Sequence, residues 1–316
     1  MIIQLFSFIF ILLLMAAILI HPDVCVSGAA SGLMIWFDSV LPSLFPFMVL
    51  TGLMIRMNLL NVLTNQLHRQ PRFRHLSVAS FFALVVGLLC GYPMGIKTIN
   101  ELKNTGQLSR KETFRLLAFV NQPGPMFVLG YALPLCQMTE KQNLRFLLAF
   151  YGGIALTAVC SFAASALFSS QKASVRIQTA NTENSSSQVH QKNGSFLQLF
   201  EETILSSMVT LTKIGGYMML FSLITALMKD IFPIHPGFLQ LINGILEMTS
   251  GIAAITSSGH MHTPYFVLAF ISFGGLCVTA QSFSLGDLKV NEQLTYLFWK
   301  ILQSIFAVYL YYLINL

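Results

Sequence analysis

Apolar residues run along this chain in blocks too long for a buried soluble helix. Residues 2–20 carry no charged side chain, and residues 144–170 carry only Arg145. As a helix rising about 1.5 Å per residue, either block crosses the ~30 Å hydrocarbon core of a bilayer. Seven such runs predict full spans, at 2–20, 38–55, 116–136, 144–169, 203–228, 264–285 and 294–315. Two further apolar stretches, 77–96 and 238–258, are broken by small residues and turn formers. Residues 171–200 are rich in Ser, Asn and Gln and form a polar linker with little capacity to build a core. The pattern predicts an all-α polytopic membrane protein with four parts. These are an N-terminal transmembrane helix (1–30), a first repeat (31–170), the linker (171–200) and a second repeat (201–316).

Composition sharpens this picture. Of 316 residues, 55% are hydrophobic and 9% charged, against about 25% charged in soluble domains. Such a chain could not cover a soluble surface. The opening apolar run invites a signal-peptide reading, but Met1–Gln4 lack Lys and Arg and the run outlasts a typical h-region. A retained first helix accounts for it better.

The net charge of +6 orients the chain rather than binding nucleic acid. Arg56, Arg69, Arg72 and Arg74 precede 77–96, and Lys97, Lys103, Arg110, Lys111 and Arg115 follow it. Basic loops stay cytoplasmic, so a segment between two of them enters and returns on one side. Residues 21–37 lack Lys and Arg and are expected outside. With Lys172, Arg176 and Lys192 the linker reads as cytoplasmic, and 238–258 becomes re-entrant from the outer side. The expected architecture is therefore two inverted repeats with re-entrant or broken helices, a recurring transporter plan.

The breaks hold the candidate chemistry. In Cys90-Gly91-Tyr92-Pro93-Met94-Gly95, Pro93 removes a donor and the glycines admit unusual backbone. This segment is either a broken helix lining a polar cavity or a proline kink beside a GxxxG packing face. Asn121-Gln122-Pro123-Gly124-Pro125 reads as an unwound stretch with inward amides, since one proline would suffice for a bend. In Leu246-Glu247-Met248-Thr249-Ser250-Gly251, Glu247 is an ionisable group within an apolar segment, a functional-site signal. Gly274-Gly275 loosens the span at 264–285, and Gln281 is an inward candidate. Lys213 is either a counter-charge for Glu247 or an anionic solute, or a snorkelling lysine.

Neither metal nor catalytic signatures appear. The five cysteines are scattered without CxxC spacing, and the chain lacks GxxxxGK[ST], HExxH and GxSxG patterns. The chain is read as no enzyme and as needing no cofactor.

Gly91-Tyr92-Pro93-Met94-Gly95-Ile96-Lys97, Asn121 through Gly130, Leu41-Pro42-Ser43-Leu44-Phe45-Pro46-Phe47, Glu247-Met248-Thr249-Ser250-Gly251 and Phe273-Gly274-Gly275 resemble the sporulation integral membrane proteins of the YlbJ type. That family sits within the nucleoside-recognition (gate) domain superfamily. The resemblance covers about residues 30–285. It implies a fold similar to nucleoside-transporter gate domains, and some members are linked to moving dipicolinate across a forespore membrane. By that analogy the substrate region would comprise Gly91, Tyr92, Pro93, Gly95 and Lys97, then Asn121, Gln122, Gly124 and Pro125, with Thr249, Ser250, Gly251, Gly274, Gly275 and Gln281. Glu247 and Lys213 would couple transport to a proton or sodium. The expected function is a secondary transporter for a small polar, anionic solute in a bacterial membrane. A non-transporting scaffold for a sporulation or envelope complex is the alternative. Lipid and a small solute are the expected partners, nucleic acid is not, and a homo-oligomer is compatible with these features.

Overall fold

The computed structural model describes residues 2–57, 77–104, 106–169, 195–232, 235–259 and 262–316. Among them all regular structure is helical. After α1 (Ile2–Ile20) the chain enters α2 (Pro22–Ile35), which continues through a π-helical turn, Trp36–Val40, into α3 (Leu41–Arg56). The expected external loop at 21–37 is thus a helix, and the span runs over 22–56 rather than 38–55. Pro22 and Asp23 favour a helix start, Pro through its preset φ and Asp through the helix dipole. The glycines of this segment serve packing on α10. A Cβ on Gly28 would lie 2.6 Å from Ala226 Cβ, and one on Gly32 2.7 Å from Ser222 Oγ.

Next come α4 (Val78–Cys90), capped by Ser77, and α5 (Met94–Asn104). They fold against each other as a hairpin whose turn is Gly91-Tyr92-Pro93, so the re-entrant segment expected at 77–96 extends to 104. A Ser109–Glu112 capping box starts α6 (Arg110–Leu116). Backbone 117–124 is non-helical up to α7 (Pro125–Phe127), and a π turn then leads to α8 (Leu133–Cys136). α9 (Glu140–Ser169) closes this half.

The second half repeats the order. α10 (Phe196–Ile231) is a long helix starting within the expected 171–200 linker, of which residues 171–194 lie outside the described residues. α11 (Pro236–Leu246) and α12 (Met248–Ser257) form a second hairpin with Glu247 at its turn. α13 (Thr263–Phe273) and α14 (Gly275–Gly286) are one helix broken at Gly274, and α15 (Val290–Asn315) closes the chain.

Equivalent helices of the two halves pair antiparallel. His21 meets Asp230 at 2.8 Å at one end of the α2–α3/α10 pair, and Arg56 meets Glu202 at 2.7 Å at the other. Along α9/α15, Arg145 bonds Asn315 at 3.1 Å, and a Cβ on Gly153 would touch Ala307. The hairpins cross nothing, so each half makes three crossings and hands the chain to the opposite face. Lys103–Glu292 at 3.0 Å and Arg115–Ser165 at 2.6 Å gather the base of the first hairpin with the start of α15 and the end of α9. Arg56, Lys103, Arg110, Lys111, Arg115 and Lys289 mark this face as cytoplasmic by the positive-inside rule. Single cysteines at Asn104 and Glu202, in a background without native cysteines, should react with an impermeant maleimide from one face. Cysteines at Lys141 and His235 should react from the other. Opposite labelling of 104 and 202 would refute the antiparallel arrangement.

The main apolar core draws its buried residues only from 79–154 and 248–311. The pair α2–α3/α10 packs against it through a smaller cluster in which Val40, Leu44 and Met48 meet Leu211, Ile214 and Met218. The molecule therefore has a hairpin-bearing body and a flanking helix pair, with a seam between them.

Candidate functional site

Both hairpin turns and both helix breaks converge at the centre of the hairpin-bearing body. Gly91 has φ +79, and a Cβ there would lie 2.5 Å from Gly124 N, so the first turn rests directly on the first break. Only glycine adopts this backbone without strain. Gly275, also at positive φ, sits against Ile245 O and Met248 N, so the second turn rests on the second break. The halves cross-link where Tyr92 Oη donates to Ile271 O at 3.0 Å and Tyr131 Oη donates to Thr249 O at 2.9 Å.

A cavity with about 40 Å³ open to water-sized centres lies in the seam, lined by Val40 and Leu44, Ile214 and Met218, and by Tyr92, Gly124, Glu247, Thr249 and Gln281 from the turns and breaks. By that measure a water needs ~10–15 Å³, so a few waters fit and an aromatic dicarboxylate does not.

Glu247 is 2% exposed and serves as N-cap of α12. Its carboxylate accepts from Thr249 N at 3.0 Å and Ser250 N at 2.7 Å, and from the Thr249 hydroxyl. Thr249 thus belongs to the site. Ser250 instead bonds Asn243 within its own hairpin at 3.1 Å. A Cβ on Gly251 would lie 2.2 Å from Gly244 Cα, so this glycine closes the hairpin legs rather than lining the cavity. Gly95 likewise packs on Val120 O and Asn121. Pro123 lines the cavity, Pro125 starts α7, and Pro93 forms the first turn. Gln281 is buried, donating to Cys277 Sγ at 3.2 Å.

Two charged candidates stand elsewhere. Lys213 is exposed on α10 and makes no ion pair with Glu247. Ile214 and Met218 take the cavity-facing positions of that helix, which turns Lys213 away. Lys97 is half-buried on α5 and does not line the cavity.

The cation at the centre is one that sequence reasoning missed. Lys300, on α15, is 1% exposed. Its Nζ donates to Tyr92 Oη at 3.1 Å, Gln122 Oε1 at 3.2 Å, Ser272 O at 3.4 Å and Gln303 Oε1 at 3.4 Å, and it lies 4.9 Å from the Tyr92 ring centroid. No acidic side chain pairs with it among the described residues. Beside it Gln303 Nε2 donates to Gln122 Oε1 at 2.7 Å, and Asn121 Nδ2 donates to Ser282 at 2.9 Å and Tyr296 at 3.1 Å. Asn121 Oδ1 and Ser272 Oγ are buried without partners. A buried lysine held only by neutral oxygens has no counter-charge in the structure, and carrying a proton there is costly unless an anion joins it. The clue in the sequence was a lone lysine ten residues into a 26-residue apolar helix, the default mark of an intramembrane site.

This chain is 26% identical over 300 residues to the sporulation integral membrane protein YlbJ of Bacillus subtilis (strain 168), covering 86% of this chain and 73% of that protein. No family model matches, and no solved structure matches.

Proposed function

From the premise that this chain is an integral membrane protein of the YlbJ type, we propose that it is a secondary permease acting in sporulation. Its solute would be a small anion of the dipicolinate class. The observation that carries the reading is Lys300, a buried lysine without a carboxylate partner, which stands behind the cavity-lining Tyr92 where both hairpin turns meet both helix breaks. The helices α5, α12 and α14 all begin at this centre, and helix N-termini favour anions. Glu247 already fills the start of α12, which leaves Lys300 and the Gly274–Gly275 break for a solute carboxylate. Solute entry requires the seam beside Val40 and Ile214 to open, because the closed cavity is too small. Glu247 is the candidate coupling group, since it is the buried carboxylate at the second turn and lines the cavity.

Purified protein in liposomes should take up dipicolinate in preference to uridine. The Glu247→Gln variant should still exchange dipicolinate between equal pools but fail to concentrate it. Absence of uptake for every aromatic dicarboxylate and nucleoside offered would favour the scaffold reading. Concentrative uptake by Glu247→Gln at the parental rate would remove the coupling role alone.

A further inference from the structure

Two charges on the flanking helix pair take no part in the central site. Asp38 lies 16 residues from Pro22 and 18 from Arg56; Lys213 lies 17 from Phe196 and 18 from Ile231. Each is therefore near the middle of its helix. The helices run antiparallel with Trp36 Nε1 donating to Leu211 O at 3.0 Å, so the two charges also share one depth. Both are exposed, and neither pairs with another described residue.

Their outward direction follows from helix geometry. Asp38 stands two residues, about half a turn, from Trp36, which packs on Gly215, and from Val40, which lines the cavity. Lys213 stands two residues from Leu211 and from Gly215, on the side away from that contact. The π-helical turn Trp36–Val40 surrounds Asp38, and such turns cluster at functional positions. Phe37 and Met34 on one helix, and Val209 and Leu220 on the other, expose large apolar side chains around the two charges, between 53% and 60% of each.

An aspartate and a lysine facing lipid at mid-depth are both unfavourable, and intramembrane charges nearly always pair or face protein. We propose that these outward sides of the pair are the contact between copies of the chain, with Asp38 of one copy paired to Lys213 of the next. Copies inserted in the same sense are related by an axis along the membrane normal. Such an axis preserves depth, so one copy's Asp38 arrives level with its neighbour's Lys213. The two charges stand on opposite outward sides of the pair, so the contact is head to tail and closes as a ring about that axis, each contact having an apolar surround and a charged centre. Assembly through the flanking pair leaves the hairpin-bearing body free on its other sides. This inference does not rest on any transported solute.

The test counts copies in a bilayer. Protein carrying one fluorophore is reconstituted at high lipid dilution, and photobleaching steps are scored per spot. The parent is expected to show multiple steps. Asp38→Lys and Lys213→Asp alone should each shift most spots, by about tenfold, to a single step. The double exchange Asp38→Lys/Lys213→Asp, and a mixture of the two single variants, should recover multiple steps. The single variants are first checked for membrane insertion and a monodisperse elution profile; the parental count and the double exchange keep the test decisive if one of them misfolds. A monomeric parent would overturn the proposal, as would an assembly indifferent to both single changes.

Discussion

If the chain is the proposed permease, replacing Lys300 by methionine is expected to abolish dipicolinate uptake while leaving a folded protein. Methionine matches the length of the lysine stem and carries no charge into the core. Exchanging a buried ion for an apolar side chain of similar volume is often neutral for stability. The Gln122–Gln303 bond at 2.7 Å remains to satisfy both amides. Hydrogen bonds to a charged group contribute about 1.5–3 kcal/mol each. Losing one such bond to a bound carboxylate weakens affinity by roughly 10- to 150-fold, at about 1.4 kcal/mol per tenfold. Lys300→Arg should fail as well, because the planar guanidinium does not fit four oxygens arranged around a point charge. Uptake and thermal unfolding are measured together. Parental uptake by Lys300→Met would end the anion-site reading, and loss of both folding and uptake would make Lys300 a structural residue.

The second large effect is expected at Gly91. A leucine there must adopt φ +79 with ψ −169, a region essentially confined to glycine, at a cost of about 1–3 kcal/mol. Its Cβ also falls 2.5 Å from Gly124 N, and overpacking adds typically 1–3 kcal/mol. Gly91→Leu should therefore lower the unfolding temperature by several degrees and abolish uptake by pushing the first turn off the first break. Gly130, with nothing within 4 Å of its Cβ position, is the control: Gly130→Leu should leave both unchanged within error. A Gly91→Leu protein with parental stability and uptake would mean that the turn is only a bend.

The broken segments were legible because proline and glycine leave marks that no ordinary span shares, and basic residues on both flanks forced 77–96 to return. Other features were hidden by ambiguity of residue type. Gly28 and Gly32 look like loop residues, yet in α2 they permit backbone approach to α10, which only the folded pair reveals. Lys213 and Lys300 are each a lysine in an apolar helix, and distance along the helix does not distinguish them. Facing does: Ile214 and Met218 claim the inward side of α10, whereas Lys300 shares its inward side with Tyr296 and Gln303. The internal repeat offered one more clue. α7 begins at Pro125 and α9 at Glu140, while α14 begins at Gly275 and α15 at Val290, a displacement of 150 residues in both cases. Aligned that way, Lys300 falls on Phe150, Tyr296 on Phe146 and Gln303 on Gly153, all buried in both halves.

That displacement bears on how a permease of this plan would choose its resting state. An in-plane two-fold axis exchanges the halves and, with them, the membrane faces. Were the halves identical, the inward-facing and outward-facing forms would be mirror roles of one conformation and equally populated. Any preference must come from positions where equivalents differ, and the polar triplet of α15 set against Phe146, Phe150 and Gly153 of α9 is one such difference at the centre. About 1.4 kcal/mol of imbalance there already gives a tenfold bias. Directionality would then be carried by the few central side chains that differ between the halves, three of them on one helix.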